Sequence, residues 1–369
     1  MKTRIILIML IATAFTGYFF TTCDENNELP DPIVVTPDTI PPVNPDTVIT
    51  VVSPIPNPNY PDGKTQWNHS DYIVIQQPTK GNGVVIVMVG DGFSKEDNKV
   101  GGNFEKVCRD LAAQFLKTPI IKDFKEYFGI YAAVAESGSS GINAQNFFKS
   151  GAGGADFAAA NIFTCEAIPG LAAVLDRAWI FIGNGMIGGF ANFGDNGNCG
   201  SGVYSVAEGV SYYWMTHEFV GHAFASLADE YDCYGFGEGY YGGVSTLTWY
   251  QRLGMCMNCS SVTNSTSPWQ RFIGRAGYEE VGFYKGGFSN CNGIWRPEQW
   301  SIMVDNYYGN GYDGMYFNAP SRWIIYKRIR TIAELLTHEE ITRGVKITQE
   351  QEDKLFEDFL EYDKEYNIK

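Results

Sequence analysis

Two of the four histidines in this 369-residue chain flank one glutamate, in His217-Glu218-Phe219-Val220-Gly221-His222. In the H-E-x-x-H pattern, histidines at i and i+4 share a helix face and hold one Zn²⁺, and the glutamate takes a proton from metal-bound water. That is the chemistry of a zinc peptidase. Here the spacing is one residue longer. On a regular α-helix an i,i+5 pair points about 140° apart, against about 40° for i,i+4. A single π-bulge between Phe219 and His222, with its wider i→i+5 turn, would bring both rings to one face. Gly221, which has no side chain to crowd such a turn, is the natural place for it. The plainer alternative is a pair of helical histidines on the surface or hydrogen-bonded in a core.

Several elements must position this helix. Val84–Val89 is an unbroken apolar run rich in β-branched residues, ending in Gly90-Asp91-Gly92, which reads as a buried strand and a turn. No Gly-Lys-Ser/Thr follows, so this is not a phosphate loop. Ser94 with Asp97 reads as a helix start, followed by an apolar stripe of Phe104, Val107, Cys108, Leu111, Ala112 and Phe115. Further strands are expected at Phe128–Val134 and Trp179–Ile182, making a right-handed βαβ unit. Met186–Asn192 reads either as an edge strand for an extended substrate or as a glycine-rich loop, with a glycine- and asparagine-rich rim at Asp195–Gly202.

The ends of the chain speak of export. Lys2 and Arg4 precede an apolar run from Ile5 to Phe20, the layout of a secretory signal. Phe20-Thr21-Thr22-Cys23 is similar to a lipoprotein cleavage box, which makes Met1–Thr22 the signal and Cys23 the lipidated N-terminus. Asp24-Glu25 then resembles the tag of surface-displayed lipoproteins. The alternative is an ordinary secreted protein. Residues 23–66 are crowded with proline and read as an extended tether, with a small β-element around Thr47–Val52 left open. Residues 67–369 suffice for a large domain: an upper lobe to about 222, a lower lobe over about 223–345, and a C-terminal helix over 346–369, from about Thr348. Removing the signal takes away two positive charges and no acid, moving the net charge from −15 to −17 and arguing against nucleic acid. Besides Cys23 there are seven cysteines, so at least one is unpaired; Cys108, on its apolar stripe, is the candidate. Cys256-Met257-Asn258-Cys259 reads as disulfide-bonded or free structural cysteine rather than half a zinc site.

The chain resembles the IgA-peptidase-type family of bacterial zinc metallopeptidases. The resemblance rests on Val87-Met88-Val89-Gly90-Asp91-Gly92-Phe93, Ala135-Glu136-Ser137-Gly138, His217 through Tyr231 with its Leu227-Ala228-Asp229-Glu230-Tyr231 ending, and Arg296-Pro297 through Ser301-Ile302-Met303. It implies a metzincin-like α/β (α+β) fold: a twisted mixed sheet, an active-site helix, a loop-rich lower lobe, and a methionine turn at Ser301-Ile302-Met303 beneath the metal. The clan's third ligand falls six residues after the second histidine, here Ala228, which cannot bind zinc. Asp229 is the expected ligand, with Glu230 behind it and His69 or His338 as remote candidates; Asp229 and Glu230 could instead cap or orient the histidines. The implied function is a zinc-dependent endopeptidase acting on extracellular proteins or glycoproteins. Its expected site is Zn²⁺ on His217, His222 and Asp229, with Glu218 as general base. Tyr231 and Tyr307 are candidate oxyanion-side donors. The expected place is the outer membrane, facing the periplasm or cell surface, with membrane contact only through the lipid. The competing readings are a non-catalytic surface binding lipoprotein on a peptidase scaffold and a metal-stabilised structural protein.

Overall fold

The computed structural model describes residues 53, 55–151, 155–185, 191, 212–234, 237–304 and 316–366. These form a mixed α/β fold around a four-stranded mixed sheet. Its strands are β1 (Tyr72–Gln76), β2 (Val84–Asp91), β3 (Phe128–Ala133) and β4 (Ala178–Gly183), in the order β1-β3-β2-β4. β2 runs parallel to both neighbours, with Val84 opposite Phe128 and Ile86 opposite Ala178, while β1 is antiparallel to β3. The three expected strands are present. β1 was not anticipated, although Tyr72-Ile73-Val74-Ile75 carries the β-branched signal.

The unbroken apolar run of β2 follows from burial on both faces. Successive side chains point to opposite sides of a strand. Ile86 and Met88 therefore enter one core with helix α1 (Asn103–Phe115), and Val85, Val87 and Val89 enter another with helix α2 (Phe157–Ala167). The buried face of α1 is the expected stripe, and Cys108 on it is a buried free thiol. The helix starts later than Ser94, however. Ser94 gives both its N–H and its hydroxyl to Asp97 Oδ2, at 2.8 and 2.6 Å, closing a separate turn, and the helix begins only after Gly102.

Packing begins before Trp67. Ile55 is fully buried in the second core, Ser53 Oγ donates to Gln77 Oε1 at 2.7 Å, and the Tyr60 hydroxyl bonds both N–H and C=O of Tyr72 at 2.9 Å. This proline-rich segment, poor in backbone donors, is thus pinned by side chains rather than by a backbone ladder. Cys23, Thr47–Val52 and the signal lie outside the described residues. Among those described, no helix is long and apolar enough to cross a membrane.

A third core joins helix α5 (Ala319–Arg330) to α7 (Gln349–Tyr362) through Trp323, Tyr326, Phe356 and Phe359, with Trp269 and Phe272 against them. Thr348 starts α7 with a capping box to Gln351, as the expected C-terminal helix requires. Beyond α7, Asp363 is buried and takes a two-point ion pair from Arg322 at 2.6 and 2.7 Å. Breaking such a pair leaves a buried charge uncompensated, so Asp363→Ala is expected to cost about 3–5 kcal/mol in urea unfolding.

Candidate metal centre

After the α-helical turn Tyr212–Trp214, labelled α3, the backbone widens into a π-helix over Met215–Phe224. The expected one-residue bulge is instead a ten-residue π segment. The consequence for the histidines is the same: their rings meet edge to face, with centroids 4.9 Å apart. Phe219 and Phe224 anchor the helix on Phe115 of α1, at 5.4 and 6.3 Å between ring centroids. Gly221 is needed for a different reason than the wider turn. A Cβ there would sit 2.6 Å from Met303 Sδ, so glycine lets the Met303 side chain lie where it does against the helix.

The chain leaves the helix sharply. Ser226 takes a left-handed conformation (φ 52°), and Leu227 N–H closes back on Gly221 O at 2.9 Å, a Schellman-type end. That reversal brings Leu227 O to His222 Nδ1 at 2.7 Å, while Ile302 O lies 2.8 Å from His217 Nδ1. A carbonyl can only accept, so each Nδ1 carries the proton and, in the neutral rings, each Nε2 presents a lone pair. Both Nε2 atoms face Asp229 Oδ1, at 3.2 Å each. Oδ1 is buried and receives no hydrogen bond. Three lone-pair atoms thus converge on a space that a cation would satisfy. The spacing of His217, Glu218 and His222 likewise could hold a metal ion. Two imidazole nitrogens and a carboxylate oxygen make a donor set suited to zinc and related divalent metals.

The electrostatics agree. Burial alone would lower the His217 pKa, but the Asp229 and Glu218 carboxylates raise it to about 9, and His222 is raised in the same way. Burial works against ionisation of Asp229 too, yet the two histidines hold its pKa well below the ordinary carboxylate range. The site therefore attracts positive charge, as protons or as a metal. Burial raises the pKa of Glu218, and Ala191 N–H donates to its Oε2 at 2.9 Å. Ala191 is the one described residue of the Met186–Asn192 stretch, so the expected edge strand lies outside the described residues.

Asp229 is held from several sides. Phe288 N–H donates to Asp229 O at 2.9 Å and Ser289 N–H to Tyr231 O at 3.2 Å. Both donors belong to the turn between β5 (Tyr284–Gly287) and β6 (Asn290–Arg296), where Phe288 and Ser289 take the left-handed φ values 52° and 54°. Such a conformation is costly for non-glycine residues and persists where the surroundings enforce it. The Cys233–Cys291 disulfide ties the same loop to β6. Its sulfurs lie near Glu238 in another group spaced for a metal, but a disulfide offers no thiolate. Cys165, Cys256 and Cys259 are free, and Cys199 lies outside the described residues.

Glu230 is a different kind of residue. It is fully buried, and its carboxylate accepts from Ser301 Oγ at 2.6 Å, Asn258 Nδ2 at 2.9 Å and Asn318 Nδ2 at 2.8 Å to each oxygen. Its N–H donates to Met303 O at 2.7 Å. Both oxygens are thus committed to structure, which sets Glu230 aside as a ligand. His69 bonds Glu136 N–H at 3.1 Å and packs on Phe147 and Phe163, and His338 pairs with Asp176 at 2.9 Å. Neither remote candidate joins the site. Tyr231 turns its hydroxyl to Asp229 Oδ2, at 2.9 Å, so its place is behind the Asp229 carboxylate. Tyr307 lies outside the described residues.

Sequence reasoning missed Tyr213, stacked on His217 at 5.4 Å, and Tyr241, hydrogen-bonded to Tyr231. Among 22 tyrosines nothing marked them. It also missed Asn258, whose side chain brackets Ala228 by accepting from its N–H at 2.7 Å and donating to its C=O at 2.8 Å. Lying inside a C-x-x-C, it was overshadowed by its neighbours. Compared with known proteins, the chain matches no family model, and a search of curated proteins returns no match.

Proposed function

We propose that this chain is a zinc-dependent endopeptidase, similar to the IgA-peptidase-type metallopeptidases. It would be exported, tethered through Cys23 at the outer membrane, and act on extracellular proteins or glycoproteins. The observation that carries the reading is the convergence of His217 Nε2, His222 Nε2 and Asp229 Oδ1, with Glu218 beside the two histidines in a group spaced for a metal. A divalent ion held by those three atoms would supply Lewis-acid polarisation of the scissile carbonyl and would acidify a water. Glu218 then accepts a proton from the attacking water and delivers it to the leaving amine. The Ala191 N–H fixes one Glu218 oxygen and so sets the direction in which the carboxylate faces. Ile302 O and Leu227 O keep the imidazoles in the tautomer that presents Nε2, and Tyr213 holds the His217 plane by stacking.

The test is digestion of casein by the exported domain, before and after treatment with a chelator. Cleavage lost on chelation and restored by zinc is the expected result. Cleavage indifferent to chelation, or none from zinc-loaded protein across varied unfolded substrates, would overturn the reading.

A further inference from the structure

We infer that Tyr231 and Tyr241 form a positioning pair that makes Asp229 a one-oxygen ligand, Oδ1 facing the histidines and Oδ2 held back. The inference rests on the metal-centre reading above and deepens it.

The two oxygens of Asp229 stand in opposite circumstances. Oδ1 lies 3.2 Å from each Nε2 and takes no hydrogen bond. Oδ2 accepts the Tyr231 hydroxyl at 2.9 Å, and that hydroxyl is in turn hydrogen-bonded to Tyr241 Oη. An ionised carboxylate has no proton to give, so the phenols must supply the donors. Tyr231 donates to Oδ2, and Tyr241, hydrogen-bonded to Tyr231, interacts with Asp229 as well, so both phenols bear on the carboxylate.

The phenols are themselves fixed. The Tyr231 carbonyl is held by Ser289 N–H at 3.2 Å, and the Tyr241 ring packs on Phe288 at 5.8 Å between centroids. Both supports lie on the strained β5–β6 turn that also grips Asp229 O. A single rigid turn thus sets both the backbone of the ligand and the phenols that orient its carboxylate. A carboxylate free to rotate could bind through both oxygens and occupy a further coordination position. Holding Oδ2 on a phenol preserves a position for water or substrate, which a catalytic site needs and a structural one does not.

The experiment compares metal-free wild type with Tyr231→Phe, Tyr241→Phe and the double variant, by zinc competition against a chromophoric chelator. Outer partners of metal ligands typically contribute 10–100-fold in affinity, so Tyr231→Phe is expected to weaken binding by about that factor. Tyr241→Phe should weaken it as well, and the double variant by less than the two single effects combined, because the phenols are hydrogen-bonded to each other and both bear on Asp229. Thermal midpoints of the metal-free proteins, measured alongside, report any general loosening. With cobalt in place of zinc, Tyr231→Phe is expected to change the visible absorption, which reports coordination; a purely structural tyrosine would leave it unmoved. Affinity within about twofold of wild type and an unchanged cobalt spectrum for Tyr231→Phe would overturn the inference while leaving the metal centre intact. Failure of the wild type itself to bind zinc would overturn the proposed function as well.

Discussion

Replacing Glu218 with glutamine is expected to lower peptide-bond hydrolysis by about 10²- to 10⁴-fold, the usual contribution of a positioned general base, while bound zinc is retained. The separation of the two effects follows from the site. The three converging atoms come from His217, His222 and Asp229, so the proposed metal does not depend on Glu218. Glutamine keeps the shape and an oxygen for the Ala191 N–H at the Glu218 Oε2 position, but it cannot take up a proton. Casein digestion and metal content measured on one preparation check this. Activity near wild type in Glu218→Gln would remove Glu218 from the chemistry, and loss of metal would make it a ligand.

Glu230→Ala is expected to destabilise the fold by about 3–5 kcal/mol, because it strands several buried donors at once. Asn258, Asn318 and Ser301 all donate to this carboxylate, and they belong to the C-x-x-C loop, the N-cap of α5 and the methionine turn. One side chain therefore ties the segment carrying Asp229 to the turn whose Ile302 carbonyl holds His217. There is a pH signature too. Burial raises the Glu230 pKa to about 7 against the three hydrogen-bonding side chains and Arg296, which lower it; the ordinary value is 4.5. Between these values the folded state holds a proton that the unfolded state has released, so this group's contribution to stability falls as pH rises from about 4.5 to about 7. Urea midpoints of wild type and Glu230→Ala across that range check both points. The difference between the two proteins should shrink towards higher pH, and a difference that grows would contradict the assignment.

Much of this was legible in the sequence because it obeys simple periodicities. The continuous run Val84–Val89 reads as a buried strand, and the 3.6-residue stripe from Phe104 to Phe115 as a helix face on a core. The i,i+5 histidine spacing needs a widened helix if both rings are to share a face, and one is present. Local signals misled where tertiary partners intervened. Ser94 and Asp97 carry a helix-start pattern but use it to close a turn before Gly102. The Pro-rich stretch to residue 66 reads as an extended tether, yet Ile55 finds a core because Gln77, Tyr72 and Tyr131 reach out to its neighbours. Gly286-Gly287 signals a turn between β5 and β6, but the left-handed backbone falls also on Phe288 and Ser289, residue types that do not announce it. Asp229 and Glu230 are chemically alike, and spacing alone could not separate them. Only their partners do: an oxygen set between two imidazole Nε2 atoms for one, a complete shell of amide and hydroxyl donors for the other.

The most direct measurement is metal content per chain in protein purified without chelator and supplied with zinc, wild type beside His222→Ala and Asp229→Ala. About one zinc per wild-type chain, the number a single catalytic site holds, and its loss in both variants are the expected results. A wild-type chain that takes up no zinc, or variants that keep it in full, would contradict a metal centre built on these residues.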